Sequence, residues 1–501
     1  MHAFREARTH YEVALDVVAE DRSLERAALF EALGEATCPF GDSALCSRYF
    51  EEAQRLYAGA GDRVRAGDVH RRLAEAAWQR GDTDAALERL WAALTTLEAE
   101  APGRELALAY GEMAAFHVLS CQFREGLEWG RRALELAERL GDAGVESYAL
   151  NWIGCALVEV DATAEGLEHL ERSLELARRS GSPSHAIRAY TNLGFNLYGL
   201  GHLRRAAEVL REESRFADDA GWESGRGRLT SNLARVEMEL GDWAAAGELL
   251  DRAIRAGETG YPASLVSAVP WKAELLLRRG RPEEARALLE EVLPECERHG
   301  ASRAHQAACP VLARTLLALG DPAGAADAMD RCAAALRSGQ ASSAHLDALE
   351  CGVRVYLRAG RCPSARELLD ALASVAARAP SPMAAARLAD ALGRAGECRG
   401  DGTAAPRFRE AAAAWAEMGL PFQEGESRRR LAAVLLRSAS PADREEGARE
   451  AARARALFER LGAAGELARL DALAPPEAAP ARAEALSRRE MEVLALLAEG
   501  R

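Results

Sequence analysis

Tyr190–Gly221 reads YTNLGFNLYGLGHLRRAAEVLREESRFADDAG. Leu193, Leu197 and Leu200 recur at three- and four-residue spacing until Gly201 interrupts them, and Ala206, Val209 and Leu210 then restart the pattern up to Gly221. The spacing predicts two helices back to back. Gly194 and Ala206 are small, which lets two antiparallel helices approach closely. A lone pair cannot bury both of its apolar faces, so it needs a similar pair on each side.

Those pairs are present in both directions. Steps of about forty residues from Gly201 land on breaks at Gly41, Gly81, Cys121 and Asp161, then at Gly241, Gly280, Gly320, Gly360, Gly400 and Ser440. A second series of breaks lies midway, including Gly61, Gly103, Gly141, Gly181, Gly221, Pro380, Gly419 and Gly462. Self-similarity at this period marks a solenoid, in which each unit is covered by its neighbours. The fold class expected is all-α, a solenoid of about ten helical hairpins.

The turn residues support this reading. Gly41-Asp42, Gly81-Asp82, Gly241-Asp242 and Gly320-Asp321 put a glycine where one helix ends and a capping carboxylate where the next begins. Pro282, Pro322 and Pro363 follow their glycines, where a missing N–H costs nothing. Small residues hold a fixed register on both sides of each turn. Ala74, Ala114, Gly154, Gly194, Ala234, Ala273 and Ala313 precede it, with Val353 as the exception. Cys46, Ala86, Gly126, Gly166, Ala206, Ala246, Ala285, Ala325, Ala365 and Ala405 follow it. Close helix crossings are therefore expected throughout. Beyond Gly360 the pattern loosens, at Ala379–Pro382 and Gly400–Thr403.

The order aromatic, Leu, small, turn, small, as in Tyr190, Leu193, Gly194, Gly201 and Ala206, resembles the tetratricopeptide (TPR) motif, although that motif repeats at about 34 residues. The longer period resembles the TPR-like repeats of large bacterial regulators. HEAT repeats share the period but not the small-residue register. The resemblance implies that first helices line a concave groove in which asparagines contact a ligand. Asn192 and Asn232 occupy equivalent positions in successive first helices, and Asn151 lies one position out of register. The same asparagines could instead bond neighbouring backbone.

Composition narrows the function classes. The chain has 501 residues and a net charge of −14, which argues against a body built to neutralise nucleic-acid phosphates. Lys272 is the only lysine among 64 basic residues. The ten cysteines share no common spacing and read as small buried hydrophobes in a reduced, cytoplasmic protein. No signal peptide and no membrane-length apolar run is seen. Cys296, His299, His305 and Cys309 are the best metal candidates, but their spacing fits none of the usual zinc patterns, so no metal is expected. Gly225-Arg226-Gly227 lacks the third glycine and preceding strand of a dinucleotide loop, and no nucleophile elbow appears. No catalytic residues and no cofactor are assigned. Arg428-Arg429-Arg430 reads as a solvated helix face.

Residues 1–473 are expected to form the solenoid, 474–485 a Pro/Ala-rich linker, and 486–501 one further amphipathic helix. In this last helix Ser487 and Glu490 make a capping box. Leu486, Ser487, Arg489, Glu490, Glu492, Val493, Leu494, Leu496, Leu497, Ala498 and Gly500 closely resemble the opening of LuxR-type helix-turn-helix domains. In that family this helix is scaffold and a later helix enters the major groove, so the chain as it stands is not expected to read DNA. Together with the solenoid, the match resembles the MalT-like large ATP-binding regulators of the LuxR family. That resemblance implies a sensor that takes a protein or small-molecule ligand, bears on transcription through a complete helix-turn-helix, and can form homo-oligomers. ATP enters only if a longer parent carries an NTPase module, for which no P-loop is present here. The first helix has no polar capping unit before it, which suggests that something precedes Met1. A free-standing TPR adaptor that binds peptides, its C-terminal match coincidental, is the other reading.

Overall fold

The computed structural model describes residues 2–38, 43–222, 226–258, 262–298, 302–337 and 341–473. Among these the chain is α-helical without a strand. It holds twenty-four α-helices from His2–Val17 to Ala464–Asp471, and all but the first and last fall into eleven hairpins. The breaks expected near every twentieth residue fall between helices wherever they are described. Gly81, Gly201 and Gly320 take positive φ there, and so do Cys121 (φ 60°) and Asp161 (φ 63°), which hold the same place without being glycine. Asp82, Asp242 and Asp321 accept the backbone N–H of Ala85, Ala245 and Gly324. Asp62 and Asp142 cap their helices in the same way. The helix register does not dissolve past Gly360. Cys362–Arg378, Pro382–Arg399, Ala404–Met418, Pro421–Leu435 and Pro441–Leu461 continue the alternation.

Each hairpin is asymmetric. First helices lie inside: Ala143–Val158 buries all but two of its residues, which is why its sequence is apolar all round. Second helices lie outside: Thr163–Arg179 buries only Gly166, Leu170, Ser173 and Ala177. The small-residue register marks the crossings. A Cβ on Gly154 would stand 2.7 Å from the Gly166 carbonyl oxygen, and one on Gly166 would stand 2.9 Å from that of Gly154. At Pro382–Arg399 and Ala404–Met418 the crossing uses Gly396 and Ala404 rather than the expected Ala405, which is only half-buried.

The solenoid coils tightly enough to touch itself. Glu159 bonds Ser343 and Glu239 bonds Gln423, both pairs 184 residues apart. Gly280 packs against the backbone of Gly465. With a repeat near forty residues, one superhelical turn takes between four and five hairpins.

The cysteines depart from expectation at one place. Cys38 and Cys46 stand side by side with Cα atoms 5.3 Å apart, within reach of a disulfide, a juxtaposition that spacing alone did not suggest. Cys155, Cys309, Cys332 and Cys351 are buried thiols as anticipated, whereas Cys362 and Cys398 are exposed. No helix among the described residues is long and apolar enough to cross a membrane.

Candidate functional site: the inner face of the first helices

A first helix presents to the superhelix interior those side chains that lie on its far side from the paired second helix. Residues one position after the small crossing residue recur at that face: Glu75, Phe195, Arg235, Glu274, Arg314, Arg354, Arg394 and Glu426. Those six positions before it include Asp68, Tyr148, Arg188, Arg228, Asp347 and Arg387. The interior is therefore lined with charge, and its two halves use that charge differently.

From Glu239 onward most of the charges pair with one another, although Arg394 Nη1, Glu350 Oε1 and Gln423 Oε1 have no hydrogen-bond partner. Arg278 donates to Glu239 at 3.2 and 2.9 Å and to Glu274 at 2.8 Å. Arg314 joins Glu274 (3.1 Å) to Asp347 (3.2 Å). Arg387 lies 3.0 Å from Asp347 and 3.7 Å from Glu350, and Arg394 pairs with both Glu350 (3.2 Å) and Asp390. Ser427 donates to Asp390 at 3.0 Å. Gln423, on the same helix as Ser427, donates back to Glu239. The side chains form a closed ring across five first helices and one from the next superhelical turn. Arg314 and Arg387 hold the carboxyl of half-buried Asp347 well below the usual carboxylate range. Beside the ring is a cavity of about 260 Å³, lined by Phe422, five arginines and five carboxylates. It carries no net charge to offer a ligand.

The run Arg428-Arg429-Arg430 is packed rather than solvated: Arg428 bonds Glu450 on the paired second helix, while Arg429 and Arg430 reach other helices. Arg429 is buried and bonds Glu466 at 2.6 Å, and Arg430 bonds Glu397 at 3.0 Å. Glu466 and Glu397 come from other helices, so sequence position alone could not reveal the pairing.

The earlier half is different. Tyr148, Asn151 and Trp152 stand on Ala143–Val158, and His185, Arg188 and Asn192 on Pro183–Gly199. Tyr148 stacks on His185 with centroids 5.7 Å apart and meets Trp152 edge-on at 6.3 Å, and the Arg188 guanidinium lies 5.2 Å from the Tyr148 ring. Asn151 is 1% exposed, and neither its Oδ1 nor its Nδ2 has a hydrogen-bond partner. The Asn192 Nδ2 and Arg188 Nε are buried and equally unpartnered, whereas the Tyr148 hydroxyl and Trp152 Nε1 lie close to each other and the hydroxyl also faces Glu112. Buried polar atoms are nearly always bonded to protein or water, so Asn151, Asn192 and Arg188 on two adjacent helices make this the candidate binding face. Burial, with the Glu112 charge nearby, pushes the Tyr148 hydroxyl far above its ordinary value, so it stays a neutral donor. Burial and nearby arginines press His185 down to about 4, which leaves its ring neutral at pH 7.

Of the asparagines singled out, Asn151 and Asn192 thus fall in this cluster. Asn232 is half-buried on the next first helix, Arg226–Leu240, at the position equivalent to Asn192. Trp152 and Trp271 occupy the same register position in their own helices, an aromatic component that a search for asparagines overlooks. Cys296, His299 and His305 lie outside the described side chains, and Cys309 is buried; among the described residues no cluster could hold a metal ion. Leu486, Ser487, Arg489, Glu490, Glu492, Val493 and Leu494 also lie outside the described residues.

No protein-family model and no curated protein matches this sequence. Solved structures of helical-repeat proteins do. A Rap protein complexed with Competence and Sporulation Factor is 14% identical, with 79% of this chain and 98% of that one covered at a TM-score of 0.46. NprR in complex with its cognate peptide NprX is 13% identical over 70% and 99%, with a TM-score of 0.45. The signal transduction ATPase with a tetratricopeptide repeat sensor, PH0952 from Pyrococcus horikoshii, is 15% identical over 72% and 55%, with a TM-score of 0.40. At these identities the likeness is one of stacked helical hairpins and extends no further.

Proposed function

We propose that the chain is a regulatory, ligand- or protein-binding TPR-like module whose ligand lies on the inner face around Tyr148, Asn151, Trp152, Arg188 and Asn192. The observation that carries this reading is the set of buried, unpartnered polar atoms on two consecutive first helices. A solenoid whose only task is to hold its shape would bond or solvate those groups, since each one left bare costs about 1–3 kcal/mol. The later half of the same molecule does bond most of its buried charges. The module belongs, in this reading, to a LuxR-family transcriptional regulator. That part rests on the resemblance of Leu486–Gly500 to the start of a helix-turn-helix.

The test is a chain extended by a complete LuxR-type helix-turn-helix and assayed on duplex DNA and in a reporter strain. Asn151→Ala together with Asn192→Ala should change the ligand-dependent output while helicity and melting stay near those of the parent. An output indifferent to both substitutions removes the sensor reading. A chain with no duplex affinity at any salt removes the transcriptional one.

A further inference from the structure

The chemistry of the ligand can be narrowed by the arginines that have no counter-ion, an inference that rests on the groove reading above. In the later half, Arg278, Arg314, Arg354, Arg387 and Arg394 each pair with a carboxylate. In the earlier half, Arg188 and Arg235 form no ion pair among the described residues, and the Nε of each is buried without a hydrogen-bond partner. Both are held in place by aromatic rings. Arg235 is clamped between Tyr198 (4.1 Å) and Trp271 (4.3 Å), and Arg188 lies over Tyr148 (5.2 Å) and Trp152 (6.0 Å).

The nearby acids are bonded elsewhere, although Glu112 and Glu75 still favour the Arg188 cation against its burial. Glu112 faces Arg188 but is bonded to Arg71, and burial and Glu75 push its carboxyl up toward the neutral form. Asp347 feels the charge of Arg235 but is bonded to Arg314 and Arg387. Arg228, on the register position of Arg188 one helix further on, adds a third cation close enough for Arg188 to repel it; Glu213, which attracts it, is buried behind Thr191 and raised to about 7. A half-buried guanidinium stacked on rings keeps a large desolvation cost that cation–π contact only partly offsets. In a chain of net charge −14, such a cluster is not part of a general basic surface.

We infer that the inner face between Tyr148 and Trp271 binds an anionic ligand, whose carboxylate or phosphate oxygens are taken by Arg188 and Arg235 with the amides of Asn151 and Asn192 beside them. Arginine forks suit both kinds of oxygen, and the rings pre-orient the forks.

Calorimetric titration at 0.15 M salt tests this with three probes: a glutamate-rich hexapeptide, its glutamine counterpart, and inorganic pyrophosphate. The intact chain should bind the acidic peptide or pyrophosphate, and whichever binds identifies the source of the anion. Arg188→Gln and Arg235→Gln should each weaken that binding at least tenfold, with Arg235→Lys intermediate. Circular dichroism should show both variants folded, and Arg204→Gln on an outer helix should bind as the parent does. The inference falls if neither anionic probe binds, or if the glutamine variants bind them unchanged. If the glutamine peptide binds, insensitive to both arginines but lost in Asn151→Ala with Asn192→Ala, the anion inference falls and the groove reading stands. If that double substitution leaves every binding event unchanged, the groove reading falls as well.

Discussion

The Glu159 carboxylate accepts both the backbone N–H and the hydroxyl of Ser343, a residue 184 positions further along the chain. It supplies an acceptor at the start of the short turn Ser343–His345 from a different turn of the superhelix. Glu159 is buried, which pushes its carboxyl up, while the bonds from Ser343 pull it back down. Glu159→Ala should cost about 1–3 kcal/mol in urea unfolding, because Ser343 then loses a buried acceptor. Ser343→Ala, which keeps the backbone bond, should cost less.

Arg314 holds the buried Glu274 and the half-buried Asp347, and Arg314→Met leaves each with one arginine fewer, Arg278 and Arg387 remaining. Breaking one side of a fully buried pair costs about 3–5 kcal/mol, and with Arg278 and Arg387 still in place less than that is expected. Because Asp347 is held below its unfolded value, its contribution is present above about pH 4 and is lost as pH falls. The substitution should therefore lower the melting temperature and move acid unfolding to a higher pH, both readable by circular dichroism.

Glu213 shows the opposite sign. Burial raises its carboxyl to about 7, with only Thr191 donating to it and Arg228 drawing it back. The folded state then binds the proton more tightly than the unfolded state, so stability falls as pH rises from about 4.5 to about 7. Glu213→Gln should remove that slope and stabilise the protein at pH 8 by up to ~3 kcal/mol, an upper bound from the shift. A melting curve series from pH 5 to about pH 8 checks it.

Gly166→Ala should destabilise, because its Cβ would meet the Gly154 carbonyl oxygen and the Val158 backbone nitrogen at 2.9 Å and backbone cannot step aside as a side chain can. An overpacking cost of about 1–3 kcal/mol is expected. Gly59→Ala is the contrast: its Cβ meets nothing within 4 Å on a helical backbone, and it should gain up to about 1 kcal/mol. Thermal melts of the two variants should move in opposite directions.

These positions show where the sequence was legible. The turns followed from apolar period and spacing even at Cys121 and Asp161, where residue type argues against a left-handed conformation, because packing of the flanking helices outweighs a local penalty of about 1–2 kcal/mol. The crossing of Gly154 with Gly166 followed from small-residue register. The ion-pair ring did not, since Glu239 meets Gln423 only when the superhelix completes a turn, and the number of hairpins per turn is set by small inter-repeat angles that no single repeat encodes. The burial of Arg429 was hidden for a different reason: its partner Glu466 stands on the helix that follows its own hairpin, a neighbour-repeat contact that apolar period does not reveal. Asparagines were visible as a repeated residue type, whereas the unpaired state of Arg188 and Arg235 is a property of what surrounds them.

The contact between Glu159 and Ser343 also sets a timetable for synthesis. At about 5–20 residues per second, a ribosome needs roughly 10 to 40 s after making Glu159 before Ser343 exists. Through that interval the nascent chain exposes carboxylates and small-residue seams that its final form conceals. Early hairpins can therefore form as they emerge, but the coil can lock only late, and a chaperone or premature self-association has its opening in that delay.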